Sequence, residues 1–238
     1  MSGMQTWQGR QFEVKVLCSM PGMAQQIWIE NDAGALLVDA GDGVIRDIRS
    51  NNLYFDLIKG IIITHGHFDH VGGLHSLLGF MRMVGRSAVL PICMPDGCVE
   101  AQGIVDNFTS VYRETTPYRV EIKNVLPGDT FEVAKTRVTA YPVVHCGGVA
   151  GHEVLDQIPA LGYRLSYAGE TVAVTGDTGF CSGLEDLVRN ADLALIEATF
   201  GDARGTSEEE LSRVHLSEAA ARRLGSLARE FILIHKGR

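Results

Sequence analysis

The densest chemistry in the chain lies in Thr64-His65-Gly66-His67-Phe68-Asp69-His70. Four groups able to bind a metal fall within six residues, directly after an apolar run of isoleucines. Imidazole nitrogen and carboxylate oxygen suit Zn²⁺, and equally iron or manganese. His65 and His67 stand two apart across a glycine, so both rings can turn to one side. Asp69 and His70 are adjacent and can serve a second ion. The competing reading, a polar loop with histidines by chance, is disfavoured by so many ligands in so short a stretch. Two ions about 3.5–4 Å apart share a water, lower its pKa and clamp a displacement at phosphorus or carbon.

The pattern His-x-His-x-Asp-His after a buried strand, continued by Val71-Gly72-Gly73, resembles the signature of the metallo-β-lactamase fold superfamily. Further positions follow in that superfamily's order. Asp39 ends an early strand, His145 follows a strand, Asp177 sits in Thr175-Gly176-Asp177-Thr178, and His235 ends the last strand. The resemblance runs from about Phe12 to Lys236. It implies one ion held by His65, His67 and His145, a second by Asp69, His70 and His235, and Asp177 bridging them. Asp39 is then a support that orients ligands. The implied cofactor is a pair of divalent ions, Zn²⁺ first and Mn²⁺ or Fe²⁺ as alternatives, acting through a bridging hydroxide. The implied fold is α/β (α+β): a four-layer αβ/βα sandwich of two mixed β-sheets flanked by helices.

Fold alone does not set the reaction. Glu197-Ala198-Thr199-Phe200 after a strand, and His215-Leu216-Ser217 before the last helix, are similar to motifs of the ribonuclease Z branch and its phosphodiesterase relatives. So are Leu161-Gly162-Tyr163-Arg164 and Gly176-Asp177-Thr178-Gly179. The resemblance gives Glu197 and His215 a proton relay, with Asp69, His215 and Glu197 as the catalytic set. An imidazole paired with a carboxylate suits protonation of a leaving alkoxide. The bland alternatives are a capping Glu197 and a His215 that merely precedes an N-cap. The chain departs from ribonuclease Z between His145 and Asp177, where Gly147–Ala160 is too short and acid-leaning for the protruding arm that holds transfer RNA. The expected activity is therefore hydrolysis of a small phosphodiester or cyclic nucleotide. A lactone or thioester hydrolase and a tRNA 3′-processing-type ribonuclease are the alternatives. A metal-binding protein without catalysis fits the full ligand set less well.

Positioning these residues needs strand ends and short loops. Strands are predicted at Phe12–Leu17, Gln25–Glu30, Ala35–Asp39, Ile61–Thr64, Val89–Met94, Arg119–Val125, Thr130–Val133 and Arg137–Val144. A hairpin follows from Leu161–Tyr167 and Thr171–Thr175, then strands at Leu193–Ile196 and Phe231–His235. Helices are predicted at Val44–Asn51, Leu74–Met83, Val99–Asn107, Leu184–Arg189 and Ser217–Ala228, the last with Ser217 as N-cap. Residues 38–43 echo residues 174–179, and 63–67 echo 234–237, as two similar halves with matching strand ends would. Specificity is expected in the loops Met20–Gln25, Pro95–Tyr118 and Cys146–Leu161. There Phe108, Tyr112 and Tyr118 are candidates to stack a base or to form a satellite core. Arg164 is a candidate phosphate ligand or a structural residue. His75 and His152 have no motif around them.

Composition narrows the partners. The 238 residues carry net charge −8, with only five lysines, so no basic field draws in nucleic acid. Large RNA is disfavoured, and a small-molecule substrate is expected. No apolar run approaches a membrane span and no secretory h-region precedes Phe12. Five cysteines without a CxxC pair imply reduced thiols and a cytoplasmic setting. The 45% hydrophobic content supports one packed domain over 1–238. A homodimer is left open, since no diagnostic interface stripe is visible.

Overall fold

The structure, a computed structural model, describes residues 4–147, 156–201 and 207–237. His152 lies outside these residues, as does the middle of the Cys146–Leu161 loop. The chain divides into two compact units. The first is Met1–Val125 with Val133–Lys135, and the second is Leu126–Glu132 with Thr136–Arg238.

The first unit is built on a seven-stranded sheet in chain order. Its strands are β1 (Gln5–Gln8), β2 (Glu13–Met20), β3 (Ala24–Asn31), β4 (Gly34–Val38), β5 (Ile58–Ile62), β6 (Leu90–Pro95) and β7 (Val120–Val125). The first four strands are antiparallel, and β4 to β7 run parallel. Parallel neighbours need crossovers. These are α1 (Val44–Ser50) with a 3₁₀ turn at Phe55–Leu57, then α2 (Phe68–Val71) with α3 (Leu74–Met83), then α4 (Val99–Val111). Helix residues Val44, Ile48, Leu74, Leu77, Leu78, Ala101, Val105 and Phe108 pack with Trp28, Leu37, Ile61 and Ile92 of the strands in one core. Truncating one of these large side chains to alanine costs about 2–5 kcal/mol.

Several expectations shift here. β1 lies before Phe12, where no strand was predicted. All four of its residues keep part of their surface exposed, so no hydrophobic signal marked it. β5 begins at Ile58 and ends at Ile62, because Thr64 turns its N–H to the Asp39 carboxylate at 2.8 Å instead of to a ladder. Helix α4 extends four residues beyond Asn107, since Phe108 continues its buried face. The span Pro95–Tyr118 is therefore mostly helix. Phe108 and Tyr118 belong to the core and Tyr112 packs against it, which rules out base stacking for the first two. His75 stacks edge-on against Phe108, with ring centroids 5.8 Å apart.

Cys93 and Cys98 are buried, and burial pushes both thiols up to about 11. The thiolate is the reactive form. At pH 8 both are expected to react with an aromatic disulfide reagent on the order of 10²-fold more slowly than an exposed cysteine. Stopped-time mass mapping before and after denaturation checks this.

The second unit carries a six-stranded mixed sheet in the order β13-β12-β11-β10-β9-β8. Its strands are β8 (Thr130–Val133), β9 (Thr136–Pro142), β10 (Leu161–Tyr167), β11 (Glu170–Val174), β12 (Leu193–Ala198) and β13 (Glu230–Lys236). The hairpin β10–β11 and its neighbour β9 are antiparallel, while β11, β12 and β13 are parallel. Helices α5 (Gly183–Val188), α6 (Glu208–Arg213) and α7 (Glu218–Gly225) complete it. Leu184, Leu187, Leu216 and Leu224 pack with Ala173, Ala194, Ile196 and Leu233. Ser217 caps α7 by accepting from Ala220 N at 3.2 Å, as predicted. Helix α6 was not anticipated, although Ser207 and Glu210 form a complete capping box there.

Each unit is thus a mixed sheet with helices on it, in agreement with the expected α/β class. All five cysteines are free thiols. Among the described residues no helix is long and apolar enough to cross a membrane.

Candidate metal centre

In the first unit the histidine-rich segment leaves β5 and enters α2. Asp39, just past β4, sits in the left-handed region at φ 61°. Its backbone N–H donates to Ile62 O at 2.8 Å, which docks it beside the end of β5. Its carboxylate is fully buried and saturated. Oδ1 accepts from Thr64 N at 2.8 Å, and Oδ2 accepts from Thr64 Oγ1 at 2.8 Å and faces His70 Nδ1 at 2.7 Å. A carboxylate only accepts, so Nδ1 of His70 carries the proton and Nε2 is the lone-pair nitrogen. Asp39 therefore fixes the orientation and tautomer of the His70 ring.

The neighbours converge on that ring. His65 Nε2 and His67 Nδ1 lie 3.1 Å apart, and the His65 and His70 ring centroids are 3.9 Å apart. Asp69 and His70 also bring ligand atoms within 4.8 Å of each other. Asp69 Oδ2 accepts from Gly22 N at 2.8 Å, so the β2–β3 turn holds this carboxylate.

Close backbone packing sets the segment's place. Ala40 N donates to His70 O at 2.7 Å and Gly73 N to Ala40 O at 2.8 Å. A Cβ on Gly41 would lie 2.2 Å from the Asp69 carbonyl oxygen. Gly41→Ala is expected to cost about 1–3 kcal/mol, as overpacking does. For a chain of this size that is a fall of roughly 2–10 °C in Tm, read by calorimetry.

In the second unit a different set converges. Asp177 follows β11, His235 lies in β13, and His145 and His215 lie in loops. Asp177, His215 and His235 each present a ligand atom within 4.8 Å of the others. Asp177 Oδ1 is 3.4 Å from His235 Nδ1, and Oδ2 is 3.9 Å from His215 Nδ1. The His145 and His215 ring centroids lie 5.1 Å apart. His145 Nδ1 donates to Val214 O at 2.7 Å, which again leaves Nε2 as the lone-pair nitrogen.

His235 owes its position to a bulge. Along the β12–β13 ladder Glu197 pairs with Ile234 but Ala198 pairs with Lys236, so His235 is the extra residue. It adopts φ 50°. Thr199 Oγ1 donates to His235 O at 2.9 Å and lies 3.0 Å from Nδ1, clamping backbone and ring together.

Glu197 lies on β12 rather than after it, because the strand runs on to Ala198. Its buried carboxylate collects four donors. Oε1 accepts from Thr178 N at 3.1 Å, Leu216 N at 3.0 Å and His215 Nδ1 at 3.0 Å, while Oε2 accepts from Thr199 N at 2.9 Å. The His215 side chain keeps 16% of its surface exposed against none for Glu197. A buried carboxylate thus orients an imidazole that keeps part of its surface exposed. Phe200 packs edge-on against the His215 ring with centroids 5.2 Å apart.

One expectation is corrected, and for Arg164 the structural alternative holds. His145 does not directly follow its strand, since β9 ends at Pro142 and the chain continues irregularly. Arg164 donates to the Leu187 and Arg189 carbonyls at 2.8 and 3.0 Å, so it ties off the end of α5 and is not free to hold phosphate. The roles of Thr64 and Thr199 were missed. Both stood inside quoted motifs, but only their hydrogen bonds reveal what they do.

The donor chemistry fits a divalent metal. Fixed tautomers present lone-pair nitrogens beside carboxylate oxygens in each unit, the set that borderline ions prefer. The family described as the beta-lactamase superfamily domain matches residues 35–236, across both units. The chain belongs to the beta-lactamase superfamily. A ribonuclease Z from Bradyrhizobium sp. (strain ORS 278) is 22% identical over 240 residues, which cover 84% of this chain and 79% of the relative. Among solved structures, human tRNase Z, short form, has a TM-score of 0.76 at 20% identity, over 94% of this chain and 93% of that one. A diphosphatase of the PhnP family has a TM-score of 0.66 at 17% identity, over 94% and 85%. This superfamily member is a hydrolase of the metallo-β-lactamase fold, and the fold implies a divalent metal.

Proposed function

We propose that this chain hydrolyses a small phosphodiester, a cyclic nucleotide or similar monoanion, as a dinuclear enzyme. His65, His67 and His145 serve one ion, Asp69, His70 and His235 the other, and Asp177 bridges. In this reading both units work as one domain. Zn²⁺ is the first choice, with Mn²⁺ and Fe²⁺ accepted by the same ligand types. When bound, such ions supply Lewis-acid polarisation and an activated water. The chain's own residues do the rest. Asp39 fixes the His70 tautomer, Thr199 seats His235, and Glu197 holds Nδ1 of His215. In the hydrolysis a hydroxide oxygen, its water having released a proton to solvent, bonds to phosphorus and the P–O bond to the leaving alkoxide breaks. Nε2 of His215 hands its proton to that alkoxide.

The observation that carries the reading is the Glu197–His215 pair, one member buried and the other 16% exposed. A strained lactone or thioester needs such a donor less. Processing of transfer RNA is the second reading, supported by the relatives' name. The net charge of −8 weighs against a polyanionic partner.

The test is hydrolysis of bis(p-nitrophenyl) phosphate, with metal content measured on the same sample and a chelated control. Turnover that needs metal, with about two ions per chain, supports the proposal. Two ions without turnover of this ester or of cyclic nucleotides rejects it. Cleavage of precursor tRNA alone moves the assignment to the second reading.

A further inference from the structure

The turn between β2 and β3 reads Met20-Pro21-Gly22-Met23. Met23 N donates to Met20 O at 3.0 Å, and Gly22 adopts φ 67°. A proline at the second place and a positive φ at the third make this a type II turn. Pro21 has no N–H and Met23 gives its own to Met20, which leaves the Gly22 N–H to reach outside the turn. It donates to Asp69 Oδ2 at 2.8 Å. Asp69 is buried, with 5% of its surface exposed, and a hydrogen bond to an ionised group is among the stronger ones.

The turn stands on a fixed base. Met20 pairs with Ala24 across the hairpin, and Gly41 N donates to Gln25 O at 3.1 Å. A Cβ on Gly41 would meet Gln25 N, Ala24 Cα and the Asp69 carbonyl oxygen at once, so the start of β3 and the Asp69 backbone close over the same glycine. With both sides held, the direction of the Pro21–Gly22 peptide decides what the carboxylate meets.

Type I and type II turns differ by a flip of that central peptide through about half a turn. In type I the Pro21 carbonyl would point where the Gly22 N–H points now, and the carboxylate would face an acceptor instead of a donor. Proline suits the second place of either type, so Pro21 does not choose between them. Gly22 chooses, because it alone enters the left-handed region without a steric cost. Nothing lies within 4 Å of a Cβ built on Gly22. The backbone conformation, and not a lack of space, asks for glycine here.

We propose that Gly22 is a positioning residue for the metal centre: by holding the turn as type II it aims its own N–H at Asp69 and fixes the rotation of a metal-binding carboxylate. The proposal rests on the ligand role given to Asp69 under the proposed function. A carboxylate anchored through one oxygen loses less freedom when it binds an ion, as hydrogen-bonded ligands generally do.

The experiment is Zn²⁺ competition with a chromogenic chelator on the full chain, with thermal melting of the metal-free protein beside it. Gly22→Val places a β-branched residue where φ is positive, which tips the turn toward type I. It is expected to weaken zinc binding by about 10–100-fold. Gly22→Asn tolerates the left-handed region and is expected to keep most of the wild-type affinity. Both side chains enter open space, so both proteins are expected to fold. Should valine prevent folding, Gly22→Ala carries a milder form of the same preference and is expected to bind more weakly than Gly22→Asn. Asp69→Ala is the control and is expected to lose at least as much affinity as Gly22→Val. A Gly22→Val protein that melts lower but binds zinc as the wild type does makes the turn merely structural and overturns the proposal. So does a Gly22→Asn protein as weak as Gly22→Val, since the turn type would then not be what matters. Wild-type affinity in Asp69→Ala removes the ligand role of Asp69 and the proposal with it. Loss in Asp69→Ala beside wild-type affinity in Gly22→Val overturns the proposal alone.

Discussion

His215→Ala is expected to lower kcat for a phosphodiester by about 10²–10⁴-fold, the range for loss of a positioned general acid. Metal content is expected to stay at the wild-type value. The second half of that result matters as much as the first. His215 lies within 4.8 Å of ligand atoms on Asp177 and His235, so geometry alone lets it join a metal. If it were a ligand, metal and rate would fall together. Its Nδ1 faces Glu197 at 3.0 Å as that of His70 faces Asp39, so the metal content of the variant is what separates the two roles. Leaving-group dependence sharpens the test. An ester with an acidic phenol needs little protonation and should lose less rate than an alkyl ester. Equal losses on both would remove the acid role. Glu197 is the poorer target, because its removal strands three backbone donors, on Thr178, Thr199 and Leu216. Each stranded buried donor costs about 1–3 kcal/mol, so folding and chemistry would fail together.

Asp39→Ala is expected to weaken metal binding by roughly 10–100-fold, the usual effect of removing a partner that orients a ligand. Asp39 touches no substrate in this reading. It acts by fixing the His70 tautomer and by holding Thr64 through two hydrogen bonds. Without it His70 gains a choice of tautomer, and Thr64 N loses its buried acceptor at a further cost of about 1–3 kcal/mol. Asp39→Asn keeps an acceptor for Thr64 N but has one neutral oxygen and one donor. It is expected to rescue stability more than metal affinity. Competition with a chromogenic chelator reads the affinity, and thermal melting of the metal-free protein reads the stability. Wild-type affinity in both variants would show that the His70 ring needs no anchor.

The sequence announced the ligand segment because its chemistry is local. Six residues carried it, and β3, β4 and α3 were equally plain from alternation and helical spacing. What stayed hidden is what needs distant partners. The bulge at His235 arises from the pairing of β12 with β13, and no local pattern encodes it. Thr64 and Thr199 are ordinary threonines until Asp39, some 25 residues away, and His235, some 36 away, are brought to them. β1 escaped because an edge strand with exposed faces has no hydrophobic period. Helix α6 was legible in its Ser207–Glu210 box but is too short for amphipathic spacing to register. Phe108 and Tyr118 read as candidates for stacking because aromatics in a supposed loop suggest ligands. Phe108 instead lies on the buried face of α4, and Tyr118 joins the same core with its hydroxyl on Leu78 O, which leaves the satellite-core alternative.

Asp39 at φ 61° and His235 at φ 50° are both non-glycine residues held in the left-handed region. Each such conformation costs about 1–3 kcal/mol and persists only where its surroundings over-determine it. At 39 relief by substitution is offset, because without the carboxylate Thr64 N loses its buried acceptor. At 235 glycine relieves the backbone and asparagine tolerates it better than histidine does, while the carbonyl that accepts from Thr199 Oγ1 stays. A thermostability screen would therefore be drawn to 235. In the proposed reading each such gain in melting temperature deletes a metal ligand. Directed evolution scored on heat resistance alone should accumulate folded, inactive variants there, and selection for turnover should hold His235 against that pull.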